Sequence, residues 1–109
     1  MIGIIGYGMV GKAVHAGFQN TLVVYSDPKF NSVSVESLCD KKPEVIFVCV
    51  PTPTDGTDYS ILRSVLDKIK ESNFEGLTVV KSTVLPYVLE GYNVVYNPEF
   101  LSRATAFDD

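Results

Sequence analysis

Gly6, Gly8 and Gly11 stand in the run Gly6-Tyr7-Gly8-Met9-Val10-Gly11, the spacing with which a chain can cradle a pyrophosphate. The first glycine permits a tight turn, the second lets backbone approach the phosphates, and the third lets a helix pack closely on a strand. A helix opening there presents free N–H groups and the positive end of its dipole to an anion. Asp27 follows sixteen residues beyond Gly11 and could accept hydrogen bonds from the hydroxyls of an adenosine ribose. Its charge opposes a 2′-phosphate, which favours NAD over NADP. The plain alternatives are a tight strand-to-helix turn without ligand and an ordinary Asp-Pro turn. Lys29 lies close to Asp27 and is assigned no role.

Three further segments carry polar groups where strands are expected to end: Pro51-Thr52-Pro53-Thr54, Lys81-Ser82-Thr83 and Asn97-Pro98-Glu99-Phe100. The prolines fix backbone, and the hydroxyls of Thr52, Thr54, Ser82 and Thr83 can bond to a cofactor or to an ordered water. Asn97 is a favoured helix cap, Pro98 suits a first helical position, and Glu99 suits the helix dipole. Glu99 is also a candidate carboxylate base. His15 lies away from the strand ends and is expected at or near the surface. Cys39 and Cys49 have no metal-like spacing and no basic neighbour fixed by sequence, so both are expected to be structural.

These groups need a scaffold, and alternating apolar runs and helix-like segments predict β-α-β units. Strands are predicted at Met1 to Ile5, Thr21 to Tyr25, Val45 to Val50, Leu77 to Lys81 and Asn93 to Tyr96. Met9, Val10, Ala13, Val14 and Phe18 recur at helical spacing after the glycines, and a short helix is expected around Val35 to Asp40. Asp58 is a plausible cap for a helix with one apolar stripe of Ile61, Leu62, Val65, Leu66 and Ile69, ending near Gly76; a short helical stretch is expected around Pro86 to Glu90. The fold class is α/β, a Rossmann-like doubly wound parallel sheet of about five strands. The 109 residues make one small domain, 46% hydrophobic and 20% charged. A net charge of -4 gives no footprint for nucleic acid or an anionic membrane face. The cysteine usage suits a reducing cytoplasm, and no run is long and apolar enough to span a membrane.

GYGMVG at 6 to 11, VPTPT at 50 to 54, KSTV at 81 to 84 and NPEFLSRATAFDD at 97 to 109 resemble, in order and spacing, the NAD-binding domain of the UDP-glucose/GDP-mannose 6-dehydrogenase family. The resemblance spans the chain, and its last two segments are more specific than the glycine loop. It implies an oxidoreductase that converts the C6 alcohol of a nucleotide sugar, UDP-glucose foremost, to the acid with two NAD, through a thioester on a catalytic cysteine. It implies cofactor contacts at Gly6, Tyr7, Gly8, Met9, Val10, Gly11 and Asp27, then at Val50, Pro51, Thr52, Pro53 and Thr54, then at Ser82, Thr83 and Val84. Thr83 would also hold a water near the reacting carbon, Glu99 would act as general base, and Glu99, Phe100, Leu101, Ser102 and Arg103 would contact the sugar nucleotide. Arg103 stands where the family usually carries a second glutamate. The segment between Asp27 and Val45 is short for the family, so a helix and an extra strand are expected to be trimmed there. The family's nucleophilic cysteine belongs to a later region with a second domain, so the fold is expected to be incomplete relative to the family, lacking its C-terminal domain, and a cut-off sheet with an exposed edge strand would allow a homo-oligomer. A degenerate or split NAD-binding module that acts only with a partner chain is the alternative.

Overall fold

A computed structural model describes residues 1–52 and 59–98. Five parallel strands form one sheet: β1 (Ile2–Ile5), β2 (Val23–Ser26), β3 (Val45–Val48), β4 (Leu77–Val80) and β5 (Val95–Tyr96). Helices α1 (Met9–Ala16), α2 (Val35–Asp40) and α3 (Ser60–Glu71) make the first three crossovers, and a 3-10 turn at Pro86–Leu89 lies in the fourth. The spatial order is β2-β1-β3-β4-β5. The chain therefore moves one way from β1 to β2 and the other way from β3 onward, which opens a crevice between β1 and β3 at the carboxyl ends of the strands.

Register follows from the side-chain period of two. Ile2, Gly3, Ile4 and Ile5 pair with Val45, Ile46, Phe47 and Val48, and also with Val23 to Ser26. One sheet face carries Ile5, Ile46, Val48 and Val80, packed with Leu38 of α2 and Leu62 and Leu66 of α3 into the main core. Gly3 lies on that face, where a Cβ would come within 2.7 Å of the Leu38 side chain, so its hydrogen lets α2 sit down on β1.

The opposite face is covered by α1 alone among the described elements, and thinly. Ile2, Ile4 and Cys49 are buried there, with Val10, Val14 and Phe18 half-buried, and the Phe18 and Phe47 rings lie 5.6 Å apart. Farther along the sheet Leu77 and Val95 are 49% and 47% exposed. The helical stripe expected on α1 is thus only partly used: Met9 and Ala13 are exposed, because nothing described faces them.

The other boundaries moved slightly. Strands begin or end one or two residues inside the predicted runs, and β2 is shifted to Val23–Ser26, with Ser26 buried and its hydroxyl donating to the Val33 carbonyl at 2.6 Å. Helix α2 spans Val35–Asp40 as expected, capped by the Ser34 hydroxyl, which accepts from the Ser37 N–H at 3.0 Å. Helix α3 stops at Glu71 instead of near Gly76, and Asn73 adopts a positive φ of 55° just beyond it. Asp58 lies outside the described residues, and the cap position of α3 is Tyr59, with no side-chain cap bond. Ile61 leaves the α3 stripe and is 57% exposed, whereas Leu62, Val65, Leu66 and Ile69 are buried.

Candidate functional site

The loop after β1 turns at Gly6, whose φ of +91° suits glycine. A Cβ there would also lie 2.8 Å from the backbone of Cys49 and Val50, so glycine lets the β1 and β3 ends approach each other across the crevice. Gly11 works by close approach instead: a Cβ would fall 2.2 Å from the Gly6 carbonyl oxygen, so only its absence lets the first turn of α1 rest on the loop. Gly8 differs from both, since a Cβ there would meet nothing within 4 Å. Gly8 is the cap residue of α1, has no side-chain cap bond, and is followed by a first turn without an acidic residue. The helix end thus presents its N–H groups beside open space.

Asp27 stands just past β2 and is held in place from both sides. Its Oδ2 accepts the Tyr7 backbone N–H at 2.8 Å, and its Oδ1 accepts the Lys29 N–H at 2.9 Å. The Phe30 and Asn31 N–H groups both donate to the Asp27 carbonyl at 2.9 Å, and the Asn31 amide nitrogen donates to the Tyr25 carbonyl. Each carboxylate oxygen carries about two acceptor positions, so one remains on each for two neighbouring hydroxyls. Tyr7 spends its amide on this carboxylate. Its ring stacks on Tyr25 at 4.0 Å, and its hydroxyl is 2.6 Å from Nδ1 of half-buried His15.

On the other side of the crevice the loops after β3 and β4 are tied together. The Thr52 hydroxyl donates to the Thr83 carbonyl at 2.7 Å, and the buried Ser82 hydroxyl donates to the Val50 carbonyl at 2.7 Å. Both hydroxyls have therefore used their hydrogen and face a ligand only as acceptors. Val84 is buried and bonded twice to one phenol: its N–H donates to the Tyr96 oxygen at 3.1 Å and its carbonyl accepts the Tyr96 hydroxyl at 2.8 Å.

A cleft of about 790 Å³ runs across these loops, lined by Gly6, Gly8, Met9, Val10, Asp27, Val50, Pro51, Thr52, Ser82 and Thr83 among the residues expected from sequence. Strand order places Asp27 at one end and Thr83 at the other, three strand spacings or about 14 Å apart. Tyr7, Gly11 and Val84 do not line it; they hold the loops that do. Pro53, Thr54, Glu99, Phe100, Leu101, Ser102 and Arg103 lie outside the described residues. Lys12 and Phe30, not picked out from sequence, also line the cleft, as do Lys29, assigned no role, Cys49, expected to be structural, and Lys81, which opens the Lys81-Ser82-Thr83 segment. An i+4 step from Gly8 puts Lys12 on the loop side of α1, which is the signal that could have found it. A second cavity of about 540 Å³ shares Gly6, Asp27, Val50 and Pro51 with the cleft and adds Val33, Val35, Ile61 and Val65. That is where Ile61 points its apolar surface.

The two cysteines are both buried. Burial pushes the Cys39 thiol above its ordinary range, with a Ser72 hydrogen bond opposing and Asp40 and Glu36 adding to the rise, so it is no activated thiolate. Among the described residues no cluster of metal-ligating side chains occurs, and no helix is long and apolar enough to cross a membrane.

No family model matches the chain. In sequence it is 36% identical over 96 residues to a UDP-glucose 6-dehydrogenase of Rickettsia bellii, covering 74% of this chain and 22% of that protein. It is 39% identical over 84 residues to an uncharacterized protein, MJ1054, of Methanocaldococcus jannaschii, covering 63% of this chain and 9% of that one. The chain thus spans about a fifth of the length of the first relative and less than a tenth of the second. In fold it is similar to CapF, solved in a crystal with the inhibitor 3-isopropenyl-tropolone. The TM-score is 0.59 at 18% identity, over 90% of this chain and 29% of that one, a likeness of fold alone.

Proposed function

We propose that the cleft binds NAD and that the chain is the cofactor-binding part of a nucleotide-sugar 6-dehydrogenase, with UDP-glucose the substrate of the whole enzyme. One observation carries the reading: an open helix N-terminus at Gly8 and a pre-oriented carboxylate at Asp27 meet in one cleft that ends at Thr83. The likeness to a UDP-glucose 6-dehydrogenase supports the reaction class.

The residues fit the group. Gly8 and the first N–H groups of α1 would receive the pyrophosphate, and the two remaining acceptor positions of Asp27 match the two ribose hydroxyls. The second cavity, apolar at Val33, Val35, Ile61 and Val65, suits an adenine ring. Val50, Pro51, Thr52, Ser82 and Thr83 would carry the remainder, with Pro53 and Thr54 continuing the first of these loops. When bound, the nicotinamide supplies a hydride acceptor. Thr83, exposed at the far end, would position a water near the reacting carbon. Glu99 would take a proton from that water when a thioester is hydrolysed, and Glu99 to Arg103 would contact the sugar nucleotide. Cys39 is buried in the core and Cys49 at a strand end, so the thiol of that thioester would come from outside these 109 residues. The exposed Leu77 and Val95 favour a second form of the same reading, a module that works with a further segment or partner chain seated on the sheet.

Calorimetric titration with NAD tests the proposal, with Gly8→Val as the probe. The substitution enters open space, so the chain should melt within a few degrees of the parent while NAD affinity falls at least about tenfold. No NAD binding by the folded parent, or equal binding by the variant, refutes it.

A further inference from the structure

Resting on the NAD reading above, we infer that the ribose end of the cleft also admits a 2′-phosphate, so that the chain takes NADP as well as NAD, with Lys12 and Lys29 setting that tolerance. An aspartate at the end of β2 ordinarily excludes the extra phosphate by charge, and a nearby cation ordinarily accepts it. Here the described lining holds Lys12, Lys29 and Lys81 against a single carboxylate, Asp27. Strand order puts Lys81, after β4, away from the ribose end, whereas Lys29 follows Asp27 by two residues and Lys12 reaches the same loop at Phe30.

The two lysines belong to different elements lining the cleft. Lys29 is tied to Asp27 through its own backbone N–H, so its side chain leaves the chain two residues from the carboxylate. Lys12 rises from the first turns of α1, and its Nζ lies 4.7 Å from the centroid of the Phe30 ring and 5.9 Å from that of Tyr7. Phe30 is itself 44% exposed and meets Tyr7 edge-on at 5.9 Å. This aromatic seat holds an ammonium at the cleft wall, since a cation over a ring face is attracted to its quadrupole. Lys12, seated at Phe30, and Lys29 thus line the same cleft as a carboxylate whose oxygens each already accept a backbone amide. Counted over the described lining of the cleft, a dianionic phosphate at that end meets more positive than negative charge, with Glu36 of the neighbouring cavity the next carboxylate.

Calorimetry of the full chain with NAD and with NADP, repeated on Lys12→Gln/Lys29→Gln, tests this. The expected result is NADP affinity within about thirtyfold of NAD in the parent, and an NADP-to-NAD affinity ratio at least about tenfold lower in the double variant. NADP affinity should also fall more steeply with added salt than NAD affinity, because the extra contacts are ionic. Both lysines are exposed, and should the double variant fail to fold, Lys29→Gln alone carries the comparison with an expected fall of at least about threefold. NAD bound and NADP more than about thirtyfold weaker overturns this inference and leaves the NAD reading standing, as does an unchanged ratio in the variant. Neither dinucleotide bound overturns both.

Discussion

Asp27→Asn separates the two jobs that the structure gives one side chain. In the parent, Oδ2 accepts the Tyr7 N–H and Oδ1 accepts the Lys29 N–H, so both oxygens are needed as acceptors. A carboxamide offers one oxygen, and its NH2 must then face a backbone N–H, donor against donor. The amide is expected to turn its oxygen to half-buried Tyr7 and its nitrogen to exposed Lys29, where water replaces the lost acceptor. The cost is therefore at the low end of a broken hydrogen bond, about 1 kcal/mol. For a domain of this size that lowers the melting temperature by roughly 4 °C or somewhat more. NAD loses more, because one of two charge-assisted bonds to the ribose disappears, about 1.5 to 3 kcal/mol or roughly 10- to 150-fold in affinity. Thermal unfolding followed by circular dichroism reads the first number and calorimetry the second. A variant that melts at or above the parent shows that the carboxylate does not hold the two amides. Unchanged NAD affinity shows that the ribose lies elsewhere.

Two further outcomes follow from packing and burial. Gly11→Ala puts a methyl group 2.2 Å from the Gly6 carbonyl oxygen and must push α1 off the loop, costing about 1 to 3 kcal/mol, so its urea midpoint should fall clearly below that of the parent; equal midpoints would mean that α1 does not rest there. Burial favours the neutral Cys39 thiol, so the folded group ionises at higher pH than the unfolded one. Its contribution is whole below the unfolded value and is lost as pH rises through the folded one. Stability should accordingly decline above about pH 9, and Cys39→Val should flatten the early part of that decline in pH-dependent urea titrations. Tyr92, raised by its hydrogen bond to Asp67, adds a loss of the same sign at higher pH.

The parts of the site legible in the sequence were those in which residue type alone carries the chemistry. Three glycines before a helix and an acid after the next strand have few other uses together, and the structure gathers them around one crevice. The α/β class was legible for a similar reason, since unbroken apolar runs such as Val45 to Val48 belong in a parallel sheet. What escaped was whatever depends on partners distant in the chain. The place of β3 beside β1 rests on contacts between segments distant in the chain, which no local signal encodes. Met9, Ala13 and Ile61 have helical periodicity, but periodicity names a face and not what lies opposite it. Nor does sequence show that the Tyr7 amide is spent on Asp27, or that Thr52 and Ser82 donate to neighbouring carbonyls rather than to a ligand. Lys12 and Phe30 were missed because an isolated lysine and an isolated phenylalanine signal nothing until α1 and the loop after β2 bring them within 4.7 Å.

The two hydroxyl ties between the ends of β3 and β4 join Val50 to Ser82 and Thr52 to Thr83, so the rim on that side of the crevice is one stiff piece. A loop that stiffens only around its ligand gives up backbone freedom at that moment, at about 1 to 2 kcal/mol for each residue ordered. Here that entropy is lost when the chain folds, and a molecule settling against the rim keeps more of its contact energy as affinity.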